Sequence, residues 1–400
     1  MAILFGVSAC SDSNKDSQLP NEGKGNVTIK LELPEEYKTL VLNTANLNGE
    51  EKNSNKKVEK TIDKLEHNTI ITDLKPGLYN LDVVAKGEQA GKTIELKGYI
   101  KDLTVNGLTA TSVKLNTITV DANFVIEEIY YTGTRYPNSK KVFIGDQYFK
   151  ITNNSDEVLY ADGLTIAEST FSTTQKFEYT PNRMPTDVAV QALYQVPGEG
   201  KTYPVEPGKS IIICDKANDH ITEAGIPESF DLSKADFEWF DESQVPNFQD
   251  SDNPDVPNLN KIYSYTRSVW ILNQQGNKAY LLLRMGKETD KFLVENELNY
   301  SYYQPAADKT INSKSYFVPN SWVIDAVNIS STDKYQWNVT DLTLDAGYTY
   351  CGENSKDPER NGKSVRRKVA YTNDQGRAVL QKTNNSSDDF IPNSIPSLKK

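Results

Sequence analysis

Residues 27–33 read Val-Thr-Ile-Lys-Leu-Glu-Leu, apolar at every second position. A period of two sends one face of an extended chain into a core and the other into water, which a helix cannot do. Further short apolar runs follow, each bounded by Asn, Ser, Thr, Asp, Gly or Pro. The chain carries 22 Tyr and only 3 Met, and Tyr suits half-buried pleated surfaces. Many short strands separated by many turns predict an all-β fold.

At 400 residues the chain is expected to hold more than one domain and can bury a large core without covalent staples. The first domain is placed at residues 27–118. Its strands are read at 27–33, 40–42, 78–84, 93–100 and 111–118, with turns at Asn48-Gly49, Pro76-Gly77 and Asn106-Gly107. The stretch Leu74-Lys75-Pro76-Gly77-Leu78-Tyr79-Asn80-Leu81-Asp82-Val83 resembles the signature hairpin of transthyretin-like (prealbumin-like) β-sandwich modules. The resemblance implies a spacer or interaction platform.

The second domain is placed at residues 119–400. Tyr148–Thr152 reads as a strand, Asn153-Asn154-Ser155-Asp156 as a turn, Val158 and Tyr160 as a resumed strand, and Asp162-Gly163-Leu164 as a break. Pro207-Gly208 precedes a buried strand at Ser210–Cys214. Residues 268–284 read as a hairpin turning at Gly276, and 321–329 as a further strand. Asn154, Ser155, Asp156, Asp162, Gly163, Leu164, Ile166, Pro207 and Gly208 together resemble the pattern of lamin-tail-like domains. Leu164 stands where that family often has Trp. The resemblance implies an immunoglobulin-like β-sandwich, here with long loops.

The net charge of −11 argues against nucleic acid, which is bound through Lys and Arg, and against electrostatic docking on anionic lipid. No apolar stretch is long enough to span a bilayer as a helix. Near the start, Val7-Ser8-Ala9-Cys10 resembles the lipobox of bacterial lipoproteins, which implies lipidation at Cys10. Residues 1–9 are then the remnant of a signal peptide, and the true start is expected upstream, because the preceding apolar run is short and lacks Lys or Arg. Residues 10–26 are too polar to order themselves and read as a flexible tether. Asp12 and Asp16 resemble the acidic residues that direct lipoproteins of Bacteroidota to the cell surface.

The other cysteines, Cys214 and Cys351, are either disulfide partners in an oxidising compartment or buried free thiols. His67 sits in a polar connector and reads as a surface residue. His220 lies near Cys214 and Asp215, the residue types of a hydrolase triad, but no nucleophile elbow accompanies them. The chain is therefore expected not to be an enzyme, and to carry no cofactor unless Ca²⁺.

Residues 235–260 hold seven acids and no Lys or Arg. Asp250, Asp252 and Asp255 offer oxygens suited to Ca²⁺, although Pro254, Asp255 and Lys261 depart from an EF-hand. The segment is either a calcium- or partner-binding loop or a solvated loop with Pro-set turns. Tyr263 and Tyr265, and Tyr300, Tyr302 and Tyr303, could stack on sugars or on an aromatic chelate, while the commoner origin of such clusters is cross-strand pairing. Residues 356–371 are basic and include Arg366 and Arg367, candidates for gripping an anionic ligand or a partner, or else part of a solvated face.

Taken whole, the chain resembles an uncharacterised family of Bacteroidota outer-membrane lipoproteins. That resemblance implies a surface-anchored binding protein beside an outer-membrane TonB-dependent transporter, accessory to uptake of iron or another metal complex. A glycan-binding lipoprotein and a structural or adhesion subunit are the alternatives.

Overall fold

The computed structural model describes residues 25–34, 37–54, 56–89, 91–117, 123–285, 289–373 and 375–399. Cys10, Asp12 and Asp16 lie outside them. Two compact units emerge, within residues 1–117 and 118–400. Nearly all regular structure in both is β, as the alternating pattern predicts.

The first unit contains β1 (Gly25–Glu32), β2 (Leu42–Glu51), β3 (Lys56–Ile62), β4 (Thr69–Leu74), β5 (Gly77–Gln89), β6 (Lys92–Val105), β7 (Thr109–Lys114) and β8 (Asn116–Thr117). One sheet runs β4-β1-β7 and the other β3-β2-β5-β6-β8. Val27, Ile29 and Leu31 of β1 enter a core shared with Leu47, Leu81, Val83 and Leu96 of the second sheet. β1 begins at Gly25, inside the stretch read as tether. At the Pro76-Gly77 corner the Tyr79 hydroxyl donates to the Lys75 carbonyl at 2.8 Å, which pins the start of β5.

Asn48-Gly49 is not a turn. It lies within β2, opposite Glu59 and Val58 on one side and Asp82 and Leu81 on the other. A Cβ on Gly49 would stand 2.0 Å from the Asn80 carbonyl oxygen, so close strand approach explains the glycine. The chain reverses three residues later, where the Glu51 carboxylate accepts from the backbone N–H groups of Asn53 and Ser54 at 3.2 and 2.7 Å.

The second unit begins with β9 (Phe124–Tyr130), β10 (Thr134–Arg135), β11 (Val142–Phe143), β12 (Tyr148–Asn153), β13 (Leu159–Tyr160), β14 (Leu164–Ser169), β15 (Tyr179–Thr180) and β16 (Asp187–Gln195). It continues with β17 (Pro204–Val205), β18 (Ser210–Cys214), β19 (Phe237–Glu238), β20 (Asn260–Ser264), β21 (Ala279–Arg284), α1 (Thr289–Glu295), β22 (Glu297–Gln304), β23 (Lys309–Pro319) and β24 (Val323–Asn328). β25 (Ser364–Arg367), β26 (Val369–Thr372), β27 (Ala378–Leu380), α2 (Ser386–Asp389) and β28 (Phe390–Ser394) complete it.

Two large sheets dominate. One runs β19-β18-β12-β9-β25-β28, the other β15-β22-β23-β16-β14-β21-β24, with β20 branching from β16. Phe124, Ile126, Phe149, Ile151 and Ile213 of the first pack against Ile166, Tyr194, Tyr280, Leu282 and Val327 of the second. The second sheet is also buried on its far face, where Ala167, Val190, Leu281 and Leu283 meet Phe292 of α1. Double burial explains why every residue of β14 is buried and why β21 reads as an apolar run without alternation.

The expected hairpin at 268–284 is half present. Gly276 does turn, with φ of 63°, and β21 follows it, but residues 268–272 form no strand. Their backbone groups are taken by side chains instead. Trp270 N–H donates to Asp241 Oδ2 at 2.6 Å, and Leu272 exchanges bonds with the Gln147 amide at 2.9 and 3.1 Å. Cys214 and Cys351 are buried free thiols, so the disulfide alternative falls away.

Candidate functional site

The Asp162-Gly163-Leu164 break has a definite local cause. The Asp162 carboxylate accepts from the backbone N–H groups of Gly200, Thr202 and Tyr203 at 2.8–2.9 Å. Burial alone would raise its pKa, and these donors outweigh burial and bring it down to about 2. The turn leaves the carbonyls of Tyr160 and Asp162 facing the end of β21. Arg284 donates to both, through Nη2 at 2.7 Å and Nη1 at 2.8 Å.

Beside Arg284 the sheet ends at β24. Ile324 has no partner on β21, because Val323 pairs with Leu283 and Asp325 already pairs with Leu282. This one-residue bulge breaks the ladder locally, a device often found next to binding sites. The Ile324 carbonyl takes the Lys382 ammonium, the Ala326 N–H donates to Asp325 Oδ1, and the Asn328 N–H donates to Asp345 Oδ2. Side chains thus close an edge that would otherwise invite another strand.

Around this capped edge lies a cleft of about 420 Å³, within the usual range for small-molecule sites. Its walls carry Arg284, Lys382, Asn123, Asn384, Ser321 and Trp322, with Val323, Ile324, Ala326 and Leu344 supplying apolar surface. Trp322 is half-buried and held by Phe292, ring centroids 5.9 Å apart. Burial lowers the pKa of Arg284, and the Asp162 charge opposes the shift. Among the described residues no carboxylate lies within ion-pair distance of Arg284, whose hydrogen bonds go to carbonyls while the Asp162 charge acts on it from farther off.

Asp325 also lines the cleft, but its charge is spent beneath it. Arg367 Nη2 lies 2.5 Å from Asp325 Oδ2 and Nη1 lies 3.3 Å from Asp389 Oδ2. The Arg367 Nε donates to the Ile126 carbonyl at 2.8 Å, and its guanidinium stacks 4.5 Å over the Phe390 ring. Asp325 Oδ2 further accepts the Ile126 N–H at 2.8 Å. Strands of both sheets are tied together under β24.

The residues singled out from sequence fall elsewhere. Arg367 is 3% exposed and is part of this support, so it cannot grip an external partner. Arg366 is half-buried on β25 opposite Glu128. Arg360 is buried and donates to the Gln275 carbonyl, and Lys368 donates to that of Asp388, so the basic segment is no solvated face.

Tyr300 is 8% exposed and packs among Phe171, Tyr179 and Phe317. Tyr302 lies edge-on to Phe177 and pairs across the sheet with Tyr179. Tyr303 is 57% exposed and donates to Asp308. Tyr263 packs at a tilt against Tyr316, ring centroids 4.3 Å apart, and Tyr265 is exposed. The clusters are mainly cross-strand and core contacts.

Asp250, Asp252 and Asp255 are not gathered around a point. Asp250 pairs with Lys216 at 3.0 Å and accepts the Asp241 N–H at 3.0 Å. Asp252 accepts from the Asn258 amide at 2.9 Å, and Asp255 is exposed. Among the described residues no group of three or more His, Cys, Asp or Glu side chains is placed to hold a metal. The acidic loop is a structural hub: Asp241 accepts from the Tyr194 hydroxyl, Trp270 N–H and Lys261, and Glu238 from the N–H groups of Ala217 and Asn253. Burial pushes Glu238 up to about 7 against those donors.

Cys214, Asp215 and His220 do not form a relay. The Cys214 thiol points to the Phe237 carbonyl, and His220 Nε2 lies 3.0 Å from the Lys216 carbonyl. His67 is exposed.

Residues 206–397 match the model of a family described as proteins of unknown function, DUF4876. That segment carries every cleft residue named above except Asn123, and all of Arg367, Asp325 and Asp389. The fold is similar to the crystal structure of a DUF4876 family protein from Bacteroides thetaiotaomicron VPI-5482. The TM-score is 0.57 at 22% identity, over 93% of this chain and 96% of that one. None of the curated proteins matches.

Proposed function

We propose that this chain is a lipid-anchored binding protein of the bacterial outer membrane, which holds a small ligand in the β24 cleft and serves a TonB-dependent uptake system. The observation that carries the binding reading is the cleft itself. Arg284 and Lys382 face a space of about 420 Å³ in a chain of net charge −11, above an ion network that keeps β24 in place. Such preorganisation lowers the ordering cost of binding.

The anchor and the transporter rest on other support, the likeness of Val7-Ser8-Ala9-Cys10 to a lipobox and the resemblance to outer-membrane lipoproteins. A tether of the 10–26 kind would raise the ligand's effective concentration at a transporter mouth. Most of the tyrosines that could have stacked on a chelate or a sugar are engaged within the fold, so recognition moves to the cleft. The test is affinity capture of the acylated protein from native envelopes. Recovery of an outer-membrane barrel supports the reading, and recovery of the protein alone after mild extraction opposes it.

A further inference from the structure

We infer that the β24 cleft takes a hydroxyl-bearing carboxylate, a small anion such as an acidic sugar or a hydroxy-acid chelate. The inference rests on the reading of the cleft as the ligand site. Arg284 uses two of its five N–H donors on carbonyls and has no carboxylate partner among the described residues. Its planar fork matches a carboxylate in two-point contact. Lys382 adds a second positive charge on the same wall, while Asp325 is paired from below with Arg367, a cation it shares with Asp389.

Hydroxyl recognition has its own groups. The Asn123 side-chain oxygen Oδ1 accepts the Phe124 N–H at 2.9 Å, and among the described residues its amide N–H₂ has no acceptor. Asn384 donates to the Thr343 carbonyl at 2.9 Å, and its amide oxygen accepts nothing from the described residues. One offers donors and the other an acceptor, as a hydroxyl-rich ligand requires. Trp322 gives a half-buried aromatic surface for the ligand's C–H face.

The test is isothermal titration of the full chain with galacturonate, citrate, ferric citrate and, as the neutral control, galactose. The expected result is binding of an acid, weakened by salt, with the neutral sugar at least about tenfold weaker. Whether galacturonate or a citrate binds tells a sugar source from a chelate source. Ser321 is exposed on the rim. Ser321→Asp is expected to weaken the acid about tenfold and Ser321→Lys to tighten it, opposite signs that misfolding cannot produce. Arg284→Lys, which keeps the charge and loses the fork, should also weaken binding. Equal binding of galactose, no binding of any acid, or acid binding indifferent to both Ser321 variants overturns the inference. Acid binding without capture of a barrel would remove the transporter reading and leave this site, and the reverse outcome would do the opposite.

Discussion

Arg367 and Asp325 form a buried ion pair between the two sheets of the second unit, with side chains 1% and 3% exposed. Arg367 also pairs with the buried Asp389, so removing the cation leaves two carboxylates uncompensated, which costs about 3–5 kcal/mol. Arg367→Met is therefore expected to lower unfolding free energy by that amount in urea titrations followed by Trp fluorescence, and Asp325→Ala, which leaves Arg367 paired with Asp389, by less. Replacing all three residues by apolar ones of similar volume should cost much less than Arg367→Met alone.

Asp146 is buried with one carboxylate oxygen unpartnered, and burial pushes it from 3.8 to about 6 against a bond from Ser229. A raised carboxyl pKa means that the folded state holds the proton longer than the unfolded chain. Its contribution is complete below about pH 4 and is lost as pH rises through 6, in total about 3 kcal/mol. Asp146→Asn should flatten the pH dependence of the melting temperature in that window and raise the melting temperature at pH 7.

Gly49→Ala places a Cβ 2.0 Å from the Asn80 carbonyl oxygen within the paired β2 and β5 strands. Overpacking against backbone is expected to cost about 2 kcal/mol or more. The measurement is hydrogen exchange, with protection lost in residues 42–105 and retained in the second unit.

Cys214 and Cys351 are buried, and burial pushes Cys351 up to about 12 and Cys214 in the same direction. In a Cys10→Ser chain neither thiol should react with a thiol-specific dye at pH 8 until denaturant is added, and reductant should leave the melting temperature unchanged.

Local pattern carried the strands well. The alternation at 27–33, the run at 210–214 and the Asp162-Gly163 break all have their expected roles. Failures came where a distant partner decides local structure. Asn48-Gly49 has turn chemistry, but strand pairing on both sides overrides it. Residues 268–272 look like a strand because they are apolar, yet Asp241 and Gln147 supply their hydrogen bonds. Acids at 238, 241 and 250 and the cation at 367 look solvated in a one-dimensional reading, and burial with specific partners reverses that. The cleft was illegible because its walls come from residues 123, 284, 321–326, 344, 382 and 384. The nearest sequence clue was the Asp162 turn that aims two carbonyls at Arg284.

The most direct test of the account is a crystal structure of the full chain grown with the acid that binds best in titration. Density is expected for its carboxylate at Arg284 and for its hydroxyls beside Asn123 and Asn384. A ligand seated elsewhere, with the β24 cleft filled only by water, would contradict it.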